Sequence, residues 1–326
     1  MSGLPQGVDV RLAAARLQGV TVRTPLLECA ALNERVGGRI LIKPEVLQRT
    51  GTFKFRGAYN RLVQLTPHER EAGVVAWSSG NHAQGVAAAA ALLGIKARIV
   101  MPADAPRIKT ERTAALGAEI VPYDRLRDDR EAIGRALAAA HGAIIVPPYD
   151  DPQIVSGQGT VALEIAEDAA RLGLTLDALL APAGGGGLIA GMCLALGDAS
   201  PATKIYSVEP TGFDDHRLSL IAGKRVANEA GGNSFCDALL APMPGALTFE
   251  INRARLAGGF AVSDDEVAAA MRYAFTEMKL VVEPGGAVAL AAVLSGKIDA
   301  RGKTVAVVLS GGNVDPRLFA RVISGL

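Results

Sequence analysis

Short unbroken apolar runs punctuate this chain, and between them apolar residues recur at helical spacing. The runs at 40–42, 74–77, 97–101, 119–123 and 143–146 predict strands, and the stretches 11–17, 83–93, 108–116 and 129–140 predict helices. A second series follows, with helix 155–172, strand 178–180, helix 188–196 and strand 205–208. Helices from 263 toward 280 and over 287–294 and a strand at 304–309 complete it. The strand runs are continuously apolar rather than alternating, as expected where helices cover both faces of a sheet. Gly94, Gly117 and Gly142 stand where helices should end in left-handed caps, and Ser263-Asp264-Asp265-Glu266 is a capping box. Residues 213–252 show neither period and are expected to be irregular, and residues 40–42 are expected to lead into a loop that carries Lys54. The alternation predicts an α/β protein of two doubly wound open-sheet units. Residues 70–151 would form a small mobile unit inserted in a large one made of 1–69 and 152–326. A ligand of such a fold belongs in the crevice at the carboxyl ends of the strands.

Composition narrows the classes. With 326 residues, 49% hydrophobic content and a net charge of +1, the chain can bury a large core and offers no nucleic-acid surface. Cys29, Cys193 and Cys236 lie far apart, which points to a reduced cytoplasmic setting without disulfides or a zinc site. The N-terminus lacks the basic and apolar regions of a signal peptide. Residues 178–197 carry no charge and imitate a membrane span, but Pro182 and four glycines would leave backbone groups unsatisfied in lipid. No membrane association is expected.

Three loops at predicted strand ends carry candidate chemistry. Ser78-Ser79-Gly80-Asn81-His82 opens a helix, where exposed amides attract an anion such as a carboxylate. Gly184-Gly185-Gly186-Gly187 exposes consecutive amides without side chains and would cradle a phosphate. Ser310-Gly311-Gly312-Asn313 puts a hydroxyl at the edge of the last strand. Alone, the first is an ordinary N-cap and the second a hinge. Gly302-Lys303-Thr304 imitates a nucleotide-binding lysine but precedes a strand and is rejected. Lys54 sits between Phe53 and Phe55 in apolar surroundings; partial burial disfavours its charge and frees the amine for Schiff-base chemistry. Taken singly, it reads as a surface lysine covering two rings.

In this order and spacing, T-F-K-F-R-G, S-S-G-N-H-A-Q-G, G-G-G-G-L, Glu283-Pro-Gly-Gly-Ala and S-G-G-N resemble the fold-type II pyridoxal-phosphate enzymes, and within them the threonine dehydratase and serine racemase family. The resemblance covers nearly the whole chain. It implies that Lys54 carries pyridoxal 5'-phosphate as a Schiff base and that Phe53 packs beside its ring. Asn81 would bond the 3-hydroxyl, the amides of Gly184, Gly185, Gly186, Gly187 and Leu188 the phosphate, and Ser310 the pyridine nitrogen, with Glu283 also at the cofactor. Ser78, Ser79, Gly80, Asn81 and His82 would receive the substrate. The implied reaction is removal of the α-proton by Lys54, loss of the β-hydroxyl, and hydrolysis to a 2-oxo acid and ammonia.

On the same ground Glu209, Asp215 and the carbonyl of Phe213 match a divalent-cation site. All donors being oxygen, magnesium or calcium is preferred and manganese admitted, while His216 next to them is a weak argument for zinc. Ala238 stands where relatives have glycine, and Ser79 is the racemase-like choice and the one candidate acid for the second face. The chain ends thirteen residues after Asn313, so no C-terminal regulatory domain is expected. The first expectation is a homodimeric L-threonine/L-serine ammonia-lyase. The rivals are a serine racemase with side dehydratase activity and a 3-hydroxyaspartate dehydratase.

Overall fold

The computed structural model describes residues 3–78, 80–105, 107–229 and 231–325. Among the described residues ten strands form two sheets. They are β1 (Leu27–Glu28), β2 (Arg39–Pro44), β3 (Val74–Trp77), β4 (Ala97–Pro102), β5 (Glu119–Tyr123), β6 (Ile144–Ile145), β7 (Ala178–Pro182), β8 (Lys204–Pro210), β9 (Leu256–Val262) and β10 (Thr304–Leu309). The larger sheet runs β1-β2-β10-β7-β8-β9, parallel except for β1, and the smaller runs β5-β4-β3-β6, parallel throughout. Strands β2, β4, β7 and β10 are buried nearly end to end, which explains their unbroken apolar sequences.

The alanine-rich helix Asn81–Leu93 packs against Lys54–Leu62 because alanines let the two backbones approach. Phe55, Ala58 and Leu62 thereby join the core of the smaller sheet, although they lie outside residues 70–151. Lys54–Leu62 also crosses Pro152–Arg171, where Gly57 meets Gly157 so closely that a Cβ on Gly157 would stand 2.6 Å from the Gly57 Cα.

Two sequence expectations need correction. Lys54 is not in a loop; it opens the helix Lys54–Leu62, behind Phe53. Residues 213–252 are not irregular throughout, since they hold the helix Asp215–Ala222 and the start of Ala246–Arg255. Glu209 supplies the missing start signal of the first by capping it from another element, and Gly245, a weak cap, precedes the second. Among the described residues no helix is long and apolar enough to cross a membrane.

Below the lysine-bearing helix lies a buried charge quartet. Arg56 bonds both oxygens of Glu45 (2.7 and 2.8 Å) and both of Glu164 (2.6 and 3.0 Å), and Lys43 bonds Glu164 at 2.6 Å. Two charges of each sign balance, and Thr24 adds bonds to Glu45 and Lys43. The quartet ties β2 and Pro152–Arg171 to the helix that presents Lys54, so each charge is compensated despite its burial.

Candidate active site

The carboxyl ends of β3, β7 and β10 meet around one cavity of about 640 Å³, a volume typical of small-molecule sites. Lys54, Phe53, Ser78, Gly80, Asn81, His82, Gly184, Gly185, Gly186, Gly187, Leu188, Glu283 and Ser310 all line it. Ser79 lies outside the described residues.

Lys54 is half-buried, and its ammonium donates to the Pro148 carbonyl at 2.7 Å and stands 5.2 Å from the Phe53 ring centroid. Burial pulls its pKa down from 10.5 to about 8, and the Glu283 carboxylate opposes that shift. Glu283 stands at the N-cap position of the helix Pro284–Leu294 without a side-chain capping bond, and burial, reinforced by Asp237, pushes its pKa up to about 7. The carboxylate accepts from Asn81 Nδ2 at 2.6 Å, while Asn81 Oδ1 accepts from Asn313 Nδ2 at 2.8 Å. The Asn81 amide, first residue of Asn81–Leu93, is thus fixed from the larger sheet's side of the crevice.

His82 turns to the Val146 carbonyl, with Nε2 at 2.9 Å, and its buried Nδ1 has no partner among the described residues. Burial and, after it, Lys54 hold the imidazole neutral, at about 3. Ser78 Oγ accepts from the Gly80 amide at 3.2 Å. Ser310 is nearly buried, and its carbonyl accepts from the Phe53 amide and from Thr52 Oγ1, each at 3.2 Å.

Two glycines of the run leave no room for a side chain. A Cβ on Gly185 would stand 2.2 Å from the Tyr149 ring, and one on Gly186 2.5 Å from His216 Nε2. Gly186 also adopts φ +92°, a left-handed conformation that favours glycine. Gly187 begins the helix Gly187–Ala199, whose N-terminal amides face the cavity as an anion site would. Behind the run, Thr248 Oγ1 donates to the Gly185 carbonyl at 2.6 Å, and Asp150 accepts from the amides of Ala246 and Thr248. A phosphorylated carbonyl cofactor fits these residues: a loop with no room for a side chain at Gly185 and Gly186, a helix N-terminus, and a lysine with a lowered pKa in the same cavity.

Sequence reasoning missed Pro148, Tyr149, Trp77 and Arg130, all lining the cavity. Pro148 acts through a carbonyl, which leaves no residue signature. Arg130 is the second residue of the predicted helix 129–140, whose approach to the cavity the sequence does not show. Trp77 packs on Gly134, where a Cβ would lie 2.4 Å from its ring, and so seats the helix Arg130–His141 with its N-terminus over the cavity.

Away from the cavity, Glu209, Asp215 and His216 converge, all buried. Burial raises Glu209 well above the usual carboxylate range and Asp215 to about 7, and lowers His216 to about 4. Two carboxylates and a neutral imidazole fit a divalent cation. Phe213 lies in the turn between β8, which carries Glu209, and the helix Asp215–Ala222, but the third side chain in the cluster is His216.

A model of the family described as pyridoxal-phosphate dependent enzyme matches residues 17–311. An L-threo-3-hydroxyaspartate ammonia-lyase of Saccharomyces cerevisiae is 42% identical over 99% of this chain and 97% of its own length. A serine racemase of Schizosaccharomyces pombe is 37% identical over 98% of each. The crystal structure of a threonine deaminase of T.th. superposes with a TM-score of 0.90 at 43% identity, covering 95% of this chain and 99% of that one.

Proposed function

The chain belongs to the pyridoxal-phosphate-dependent enzyme family, and on that premise we propose that it eliminates water from a small L-3-hydroxy amino acid and releases ammonia with a 2-oxo acid. The observation that carries this reading is the meeting of Lys54 with the glycine run and with Ser78, Gly80, Asn81 and His82 in one cavity. When bound, the cofactor supplies the electron sink that makes an α-proton removable. The chain's residues do the rest. The amides of Gly184 to Leu188 would hold the phosphate, and Asn81, fixed by Glu283 and Asn313, would offer its remaining N–H to the ring. Ser310 would meet the ring nitrogen with a hydroxyl rather than a carboxylate, a weaker partner that suits fast elimination. The 78–82 loop receives the substrate carboxylate, and Lys54 Nζ, its pKa already lowered, takes the proton at the α-carbon.

The charge of the cavity lining favours a dicarboxylic substrate. Besides Lys54, its cations are Lys109, Arg130 and Arg225. Lys109 is paired with Asp237 at 2.7 Å, and Arg225 donates to the Pro244 carbonyl at 2.8 Å. Arg130 makes no ion pair or hydrogen bond among the described residues, leaving a guanidinium for a second carboxylate. We therefore place 3-hydroxyaspartate ahead of L-threonine and L-serine, the first expectation from sequence. Racemisation is the remaining rival, because it needs an acid on the face opposite Lys54, and Ser79 is the residue that would supply it.

We also propose that a divalent cation stabilises the loop after β8 through Glu209 and Asp215, and that the protein acts as a homodimer. The test of the proposal is borohydride reduction of the purified protein followed by peptide mapping. The pyridoxyl group should be fixed on Lys54, and Lys54→Ala should keep its fold while losing turnover by several orders of magnitude. Normal turnover in Lys54→Ala would overturn the reading.

A further inference from the structure

The peptide that joins Gly185 to Gly186 is held from one side only. Its carbonyl accepts twice, from the Gly245 amide at 3.2 Å and from Thr248 Oγ1 at 2.6 Å. Its N–H, on Gly186, donates to nothing among the described residues, and neither do the amides of Gly184 and Gly185. No peptide bond among the described residues is cis, so the N–H of this planar unit points opposite to its C=O. Thr248 is fully buried away from the cavity, whereas Gly186 lines it. A carbonyl drawn toward Thr248 therefore turns the Gly186 N–H toward the cavity.

Thr248 is itself fixed. It lies in the first turn of Ala246–Arg255, whose N-cap position falls on Gly245, a residue with no side chain to cap with. Asp150 takes over that task from another segment. Its carboxylate accepts from the Ala246 amide at 3.0 Å and from the Thr248 amide at 3.1 Å, two donors that a helix start leaves free. Gly245 is enclosed between them, since a Cβ there would stand 2.3 Å from Asp150 Oδ1 and 2.7 Å from Thr248 Oγ1. The contacts thus run from Asp150 through the helix start and the Thr248 hydroxyl to the Gly185 carbonyl.

We infer that Thr248, seated by Asp150, is a positioning residue for the cofactor's phosphate: its hydroxyl fixes the Gly185–Gly186 peptide so that the Gly186 amide is aimed before the cofactor arrives. The inference rests on the reading that the glycine run takes the phosphate, and it assigns two side chains to a site read so far as backbone alone. The gain is preorganisation. Glycine has the widest backbone freedom of any residue, and a run of four would otherwise have to be ordered at the moment of binding. A carbonyl that already accepts two hydrogen bonds also polarises its peptide, which strengthens the N–H as a donor.

Titration of the cofactor-free, full-length chain with pyridoxal 5'-phosphate and with pyridoxal, which lacks the phosphate, tests this through the absorbance of the bound ligand. Thr248→Val keeps the shape of the side chain and removes the hydroxyl. It should weaken pyridoxal 5'-phosphate about tenfold while leaving pyridoxal within about twofold. Thr248→Ser should restore the wild-type affinity. The phosphorus NMR resonance of the bound phosphate should move in Thr248→Val and return in Thr248→Ser. Equal weakening of both ligands, or of neither, would refute the positioning role. A wild type that binds the two ligands equally well would overturn the phosphate reading of the glycine run as well. Neither readout depends on turnover, so each stands apart from the fate of the elimination. If Thr248→Val fails to fold, Asp150→Ala is titrated with the same two ligands; it should show the same selective loss, and an equal or absent loss would refute the role.

Discussion

Burial drops the Lys54 ammonium from 10.5 to about 8 against the pull of Glu283, and that residue-scale shift has a measurable sign. Below pH 8 the amine is protonated and cannot attack; above it the neutral amine prevails. Capture of pyridoxal phosphate by cofactor-free protein, followed by absorbance after rapid mixing, should therefore accelerate as pH rises through about 8 and then level off. An ordinary lysine would still be accelerating toward its pKa near 10.5. A rate that climbs unbroken past pH 9.5 would contradict the assigned environment. Lys54 was legible because aromatic residues flank it and three glycine-bearing motifs follow at strand ends. Its immediate partner was not, because the Pro148 carbonyl is a backbone group on a distant segment. Arg130 was hidden differently: nothing in the sequence shows that Trp77 and Gly134 bring its helix over the cavity.

At the scale of elements, the cofactor side depends on helices that cross at glycines. Where Pro152–Arg171 meets Gly187–Ala199, a Cβ on Gly191 would stand 2.2 Å from the Val155 carbonyl and 2.4 Å from the Gly159 amide nitrogen. Backbone on both sides leaves no flexible side chain to give way. Gly191→Ala should cost about 1–3 kcal/mol, read by denaturant unfolding. It should also weaken cofactor retention, since the displaced helix carries Gly187 and Leu188 at its start. Unchanged stability would show that the crossing has room. The apolar strands and the Ser263 capping box were readable because period and cap signals coincide there, and the structure contains that box. β9 was not, because Leu-Ala-Gly-Gly-Phe-Ala-Val has two glycines inside an edge strand and little strand propensity. The helix Pro316–Ser324 escaped although Asp315 before Pro316, now seen capping it, was a usable start signal.

For the whole molecule, the arrangement of two parallel sheets follows from the alternation of apolar runs and helical periods, while the division between them is blurred by Lys54–Leu62, which contributes to the core beside the smaller sheet. We propose that the unit around β3–β6 closes over the substrate, because the 78–82 loop belongs to it whereas the glycine run and Ser310 belong to the larger sheet. A ligand contacting both favours the closed state by its differential affinity. Crystals grown with and without a substrate analogue should show different angles between the sheets; identical angles would refute closure.

The central claim is tested most directly by incubating the purified, cofactor-loaded protein with L-threo-3-hydroxyaspartate, L-threonine, L-serine and D-serine. The measurement is the initial rate of ammonia and 2-oxo acid release together with the enantiomer ratio of the remaining amino acid. The account predicts equal amounts of ammonia and oxo acid, the highest kcat/KM for L-threo-3-hydroxyaspartate, and little change in enantiomer ratio. Racemisation of L-serine outpacing release of pyruvate, or no ammonia from any of the four, would contradict it.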